Sequence, residues 1–133
     1  MKFSLKDNIN IIKKVKAERK KIVFTNGCFD LLHVGHIRYL AQAKKLGDFL
    51  IIGLNSDSSV KALKGIDRPI NSFEDRAVLL SALTSVDLVV IFEELTPENL
   101  IKEIVPDVLV KGGDYNIEDI VGFQTVIKNG GLV

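Results

Sequence analysis

Apolar and polar positions along the chain follow two rhythms, one helical and one extended. Ile9, Ile12 and Val15 fall at helical spacing among Lys13, Lys14, Lys16 and Arg19, which predicts an amphipathic helix over residues 8–19. The short apolar run 22–24 reads as a strand. Ile37, Leu40, Ala41 and Ala43 then return to helical spacing over 36–46, and Gly47 ends that segment. Residues 49–54 are continuously apolar, as expected of a strand covered on both faces. A loop and short helix follow over 55–63. Ser72 is placed to cap a helix over 73–83. Further strands are expected at 86–92 and 108–110. Between them Thr96-Pro97 reads as cap and first turn of a helix carrying Leu100, Ile101 and Ile104, stopped by Pro106. A last helical stretch runs to Lys128, and Gly130-Gly131 turns the chain towards Leu132.

Strand and helix alternate throughout, so the expected fold is α/β: an open, Rossmann-like parallel sheet with helices on both faces, in one domain spanning residues 1–133. Such sheets bind ligands beyond the carboxyl ends of their strands, where the strand order reverses. The loop after the first strand carries His33 and His36, and the loop after the fourth carries Lys111-Gly112-Gly113-Asp114-Tyr115. If those strands flank the reversal, both loops overhang one crevice. Neither a Walker-type loop nor Gly-x-Gly-x-x-Gly is present.

Composition narrows the picture little further. The chain has 133 residues, 47% of them hydrophobic and 26% charged, as in a globular domain. A net charge of +1 gives no case for nonspecific nucleic-acid binding. One cysteine excludes an internal disulfide and a multi-cysteine zinc site. The N-terminal segment is broken by charges and no apolar run is long enough to span a bilayer, so neither a signal peptide nor a membrane role is expected, and a reducing cytoplasm is the default.

The chemistry concentrates in Thr25-Asn26-Gly27-Cys28-Phe29-Asp30-Leu31-Leu32-His33-Val34-Gly35-His36. Free N–H groups and the helix dipole favour an anion where the helix begins, and two imidazoles three residues apart suit a phosphate that develops charge. One histidine could instead be a helix cap. A zinc site from Cys28, His33 and His36 lacks a fourth ligand at suitable spacing. Cys28 reads as a small packed residue rather than a nucleophile. Lys64, with Lys61 behind it, is a candidate for neutralising phosphoryl charge. Asp30 could orient a histidine, cap the helix or approach a cation. Asp57 could face substrate or cap the next helix. Arg76 could face substrate or pair with Asp75 or Glu74. The lysines between Lys13 and Lys21 read as a solvated face.

Gly27-Cys28-Phe29-Asp30 followed by His33-Val34-Gly35-His36 resembles the signature of the nucleotidyltransferase superfamily with the His-x-Gly-His motif. Asn55-Ser56-Asp57, Leu63-Lys64-Gly65 with Arg68-Pro69, and Val110-Lys111-Gly112-Gly113-Asp114-Tyr115 extend the likeness over nearly the whole chain. Together they resemble the bacterial ADP-heptose synthase family, whose adenylyltransferase stands alone or forms the C-terminal half of a bifunctional kinase-adenylyltransferase. The resemblance implies transfer of AMP from ATP to a sugar 1-phosphate, with Mg2+ held mainly by the ATP phosphates and no metal held by the protein. It implies catalytic roles for His33, His36 and Lys64. ATP contacts are implied at Thr25, Asn26, Gly27, Cys28, Phe29, Gly35, Lys61, Lys111, Gly112, Gly113 and Asp114, and substrate contacts at Asp30, Asn55, Asp57 and Arg76. A homodimer and a fused or separate kinase partner are further expectations. Rival readings are transfer from CTP to glycerol 3-phosphate, from ATP to FMN, or nucleotide binding without catalysis. The family continues with another strand and a Ser-Thr-Thr loop that residues 116–133 do not supply. The expectation is therefore a chain that folds but is weakly active or inactive by itself.

Overall fold

The computed structural model describes residues 3–112 and 116–133. The elements run α1 (Leu5–Ala17), β1 (Ile22–Gly27), α2 (Val34–Lys44), β2 (Phe49–Asn55), α3 (Asp57–Lys64), α4 (Phe73–Ser81), β3 (Leu88–Phe92), α5 (Glu98–Ile104), β4 (Val108–Leu109), a 3-10 turn (Ile117–Asp119) and α6 (Phe123–Lys128). All strand pairs are parallel and the sheet order is β3-β2-β1-β4. After β1 the chain winds one way to β2 and β3, then crosses back to lay β4 on the far side of β1. The order therefore reverses between β1 and β4, the two strands whose following loops carry the histidines and the Lys111-Gly112 segment.

Period-two alternation in the strands splits the core into two layers. Ile22, Phe24, Ile51, Val90 and Leu109 point to one face, where α1, α5 and α6 cover them with Ile12, Val15, Leu100, Ile101, Ile104 and Val126. Val23, Leu50, Ile52, Leu54, Val89 and Val108 point to the other, under Leu40 and Ala43 of α2 and Ala77 and Leu80 of α4. Near-continuous apolar strands are thus read correctly as doubly covered.

The boundaries differ from the sequence expectation for local reasons. The first helix starts earlier, because the Ser4 side chain caps it by accepting from Asp7 N–H. β1 is longer, because Thr25, Asn26 and Gly27 continue the ladder against Ile52, Gly53 and Leu54 of β2. The Thr96 cap does not form. Pro97 occupies the cap position with no side-chain hydrogen bond, and the helix begins at Glu98. Val105, in the left-handed region before Pro106, closes that helix. Beyond β4, Leu132 forms an isolated parallel bridge with Val108. At the opposite edge Ile91 N–H donates to the Phe3 carbonyl.

Gly53 sits where β2 passes under Phe24. A Cβ there would lie 2.7 Å from Phe24 Cζ and 3.2 Å from Leu100 Cδ2. Gly53→Ala is accordingly expected to cost about 1–3 kcal/mol by overpacking. Urea unfolding with an unchanged m-value and a lowered midpoint is the check.

Candidate active site

The carboxyl ends of β1 and β2 and the loop after β4 open into a cavity of about 720 Å³. Asn26, Gly27, Cys28 and Phe29 line it from β1, Asn55 from β2, Lys64 from α3, Lys111 and Gly112 from beyond β4, and His36 and Tyr39 from α2. Residues far apart in sequence therefore meet at the strand-order reversal. The loop after β3 closes one side with Thr96 and Pro97, and Asp119 to Val121 close another.

The entry into α2 is built from the histidines themselves. His33 is the N-cap residue, and its Nδ1 accepts from Gly35 N–H at 3.0 Å. His36 Nδ1 accepts in turn from His33 N–H at 3.2 Å. The two rings lie 4.0 Å apart between centroids. Both readings of the histidines are thus realised at once: they cap the helix, and they stand side by side at its positive end. An accepting Nδ1 carries no hydrogen, so the ring proton of each sits on Nε2. Gly35 makes this possible, since a Cβ there would sit 2.7 Å from His33 Cε1.

Phe29 has a positive φ of 46°, rare for a bulky residue and a mark of a backbone held by its surroundings. Its ring packs edge-on to His36 at 5.4 Å, and a Cβ on Gly27 would lie 2.9 Å from it. Burial, then the neighbouring His33 and Lys64 charges, hold the His36 imidazole below its ordinary value. Burial pushes the Cys28 thiol up, against the opposing pull of Lys64, Arg76 and Lys111. A thiol kept protonated fits the packed reading of Cys28, and the electrostatic reach of three cations onto it shows positive charge converging on the cavity floor.

Several expected contacts are corrected by burial. Arg76 is 0% exposed and pairs with neither Asp75 nor Glu74. Its Nε donates to the Asn71 carbonyl, Nη1 to the Cys28 and Asn55 carbonyls, and Nη2 to Asp57 Oδ1 at 2.7 Å. It ties the ends of β1 and β2 together from beneath rather than reaching substrate. Asp57 opens α3 but does not cap it, because Ser56 does; its half-exposed carboxylate neutralises Arg76 instead. Asp30 is buried, and its carboxylate accepts from Ile70 N–H, Asn71 N–H and Arg68 Nη1. Burial alone would raise its carboxyl, but the Asn71 and Ile70 amides and the Arg68 guanidinium outweigh that and hold it low. Asp30 therefore anchors the 68–71 loop, with both carboxylate oxygens accepting hydrogen bonds from it. Thr25 is 0% exposed and lies beneath the cavity wall. Lys61, Gly35 and His33 do not line the cavity, whereas Lys64 does. Gly113 and Asp114 lie outside the described residues.

Tyr39 escaped the sequence reading, and Arg68 entered it only as part of a resembling segment. Tyr39 stands one helical turn beyond His36, and that i, i+3 spacing was the signal that it shares the histidine's face. Arg68, paired with Asp30 at 3.0 Å and 38% exposed at its side chain, places a further cation on the 68–71 loop. Among the described residues no three His, Cys, Asp or Glu side chains converge to hold a metal ion, and no helix is long and apolar enough to cross a membrane.

Residues 24–133 match the family described as cytidylyltransferase-like. The chain belongs to the cytidylyltransferase-like family. This nucleotidyltransferase domain is 60% identical over 121 residues to the bifunctional protein HldE of Haemophilus ducreyi, a match covering 91% of the chain and 26% of that protein. It is 68% identical over 103 residues to the bifunctional protein HldE of Aliarcobacter butzleri, covering 77% of the chain and 22% of the relative. The domain thus spans about a quarter of the length of these relatives. Among solved structures it resembles the lipopolysaccharide core biosynthesis protein from Thermoplasma volcanium, with a TM-score of 0.71 and 32% identity over 86% of this chain and 92% of that one.

Two predictions follow from the site's construction. Arg76→Lys is expected to destabilise the domain by at least about 2 kcal/mol, because a single ammonium leaves two or more buried carbonyls without donors at roughly 1–3 kcal/mol each; equilibrium unfolding measures it. His36 supplies the second. Its folded value is depressed, so the stability it lends is complete above about pH 6.5 and declines as pH falls through the folded value. His36→Gln, which keeps a capping-box acceptor at that position, should flatten the fall in melting temperature between about pH 7 and pH 5.

Proposed function

We propose that the domain transfers AMP from ATP to a sugar 1-phosphate, D-glycero-β-D-manno-heptose 1-phosphate, releasing pyrophosphate and ADP-heptose. The observation that carries the reading is the commitment of both Nδ1 atoms to backbone amides, which leaves the His36 Nε2–H as a donor at a cavity that Lys64 and Lys111 also line, with the His33 ring 4.0 Å from that of His36. A phosphate oxygen of the sugar attacks the α-phosphorus in line as the bond to the β-phosphate oxygen breaks. Charge grows on the non-bridging oxygens in between. Donors fixed in advance at that point lower the barrier without reorganisation. His36 acts this way in its uncharged form, which its depressed titration keeps populated at neutral pH. Lys64, beside His36, offsets charge on the phosphates, and Lys111 and Gly112 flank the nucleoside end.

Magnesium enters this reading with the substrate, as magnesium-ATP, held mainly by the phosphate oxygens. The choice of heptose rests on the four resembling segments and on the names of the relatives, one group called bifunctional and one structure assigned to lipopolysaccharide core biosynthesis. A kinase that makes the sugar 1-phosphate fits the remaining three-quarters of such a relative.

In the full-length protein, His36→Ala is expected to lower turnover about a hundredfold while ATP affinity changes far less. Pyrophosphate release with heptose 1-phosphate and ATP, beside calorimetric titration, measures both. ATP should bind more tightly than CTP. Near-normal turnover in the variant removes the histidine role, and preference for CTP, or for FMN as acceptor, replaces the substrate assignment.

A further inference from the structure

The ladder between β1 and β4 is short. It pairs Val23 with Val108 and Phe24 with Leu109, and its last hydrogen bond runs from Val110 N–H to the Phe24 carbonyl at 2.9 Å. Past that point the two strands lead into the cavity wall and the Lys111-Gly112 loop. One side chain spans the gap. The Tyr39 hydroxyl lies 2.8 Å from Thr25 Oγ1 of β1 and donates to the Val110 carbonyl at 3.4 Å. With its one proton so used, it accepts from the Thr25 hydroxyl. The Gly112 backbone rests on the ring itself, since a Cβ there would lie 3.1 Å from Tyr39 Cε2. Tyr39 therefore joins β1 to the end of β4 at one oxygen and supports the following loop with its ring.

The same helix carries His36 one turn earlier, at the phosphate end of the cavity. A single rigid element thus sets the distance between the imidazoles and the loop beyond β4. We propose that Tyr39 is a positioning residue for nucleobase recognition: its hydroxyl, bonded to the Val110 carbonyl, fixes where the Lys111-Gly112 loop leaves β4, and so the spacing that a nucleoside triphosphate meets when its phosphates lie at His36. This rests on the proposed function above and assigns the base-side part of it to an atom that acts through the backbone leading into the loop. A tyrosine serving only to fill the core would leave base and phosphate binding equally affected by its loss, and the two roles separate there.

The experiment compares Tyr39→Phe with the parent by titration of the full-length protein with ATP and with inorganic tripolyphosphate, which has the charge but no base. Tyr39→Phe keeps the ring and removes the hydroxyl. ATP affinity is expected to fall about tenfold, and tripolyphosphate affinity to stay within about twofold. Unchanged ATP affinity, or equal losses for both probes, overturns the proposal. Because Thr25 is buried and loses its partner in this variant, Tyr39→Phe with Thr25→Val removes both polar atoms together. The double variant should fold like the parent and show the same split between probes; its absence there also overturns the proposal. A parent protein that prefers CTP to ATP overturns the proposed function alone, and the clasp is then judged by CTP against tripolyphosphate. A parent that binds tripolyphosphate but no nucleotide overturns both.

Discussion

The Arg76 guanidinium is the constraint on which the site depends. Parallel strands present carbonyl groups at their carboxyl ends, and in this sheet the last carbonyls of β1 and β2 face a region about to be emptied of protein to admit a ligand. Left alone they would be buried without partners or would draw the loops inward. A planar cation with several fixed donors satisfies the Cys28, Asn55 and Asn71 carbonyls together. Asp57 balances its charge from the half-exposed side. Burying a lone cation is costly, so the four partners stand or fall as a set. Asp30 performs the mirror task, a buried anion gathering the Ile70 and Asn71 amides and the Arg68 guanidinium. Through Asn71, which also donates to the Asp30 carbonyl, the two networks share a loop. The cavity stays open because its walls are held by charges that never enter it.

The histidines show how structure and chemistry can occupy one ring without competing. Capping requires an acceptor, and Nδ1 provides it. Phosphate binding, in the proposed reaction, requires a donor, and Nε2 is left to supply it. For His36, protonation of Nδ1 would break its bond to the His33 amide, in keeping with its lowered titration. Imidazole, with one nitrogen of each kind, serves both needs.

Much of this was legible in the sequence because it is written in periodicity. The apolar runs over 49–54 and 86–92, the helical spacing after His36 and the cap at Ser72 follow local rules that tertiary contacts reinforce. The reversal between β1 and β4 was inferable from which loops carried unusual residues. What could not be read were roles fixed by burial. Asp30, Arg76 and Thr25 have the side chains of ligand-binding residues, and only the fold shows them turned inward. Tyr39 was hidden for the opposite reason: in a helix of apolar spacing it reads as core, and its hydroxyl matters through residues that follow it by more than seventy positions. The Thr96-Pro97 cap failed because the helix starts one residue later, which puts Pro97, with no side-chain acceptor, at the cap position.

The two flanks of the sheet carry a consequence of another kind. An open parallel sheet leaves an unpaired row of amides and carbonyls on each outer strand, a template on which a second chain could grow. Here the Phe3 carbonyl takes the Ile91 amide on β3, and Leu132 brackets β4 by accepting from Leu109 and donating to the Asp107 carbonyl. Phe3 and Leu132 thus each satisfy part of an outer strand, and removing either while sparing every residue of the cavity would leave those amides and carbonyls as a template for another chain.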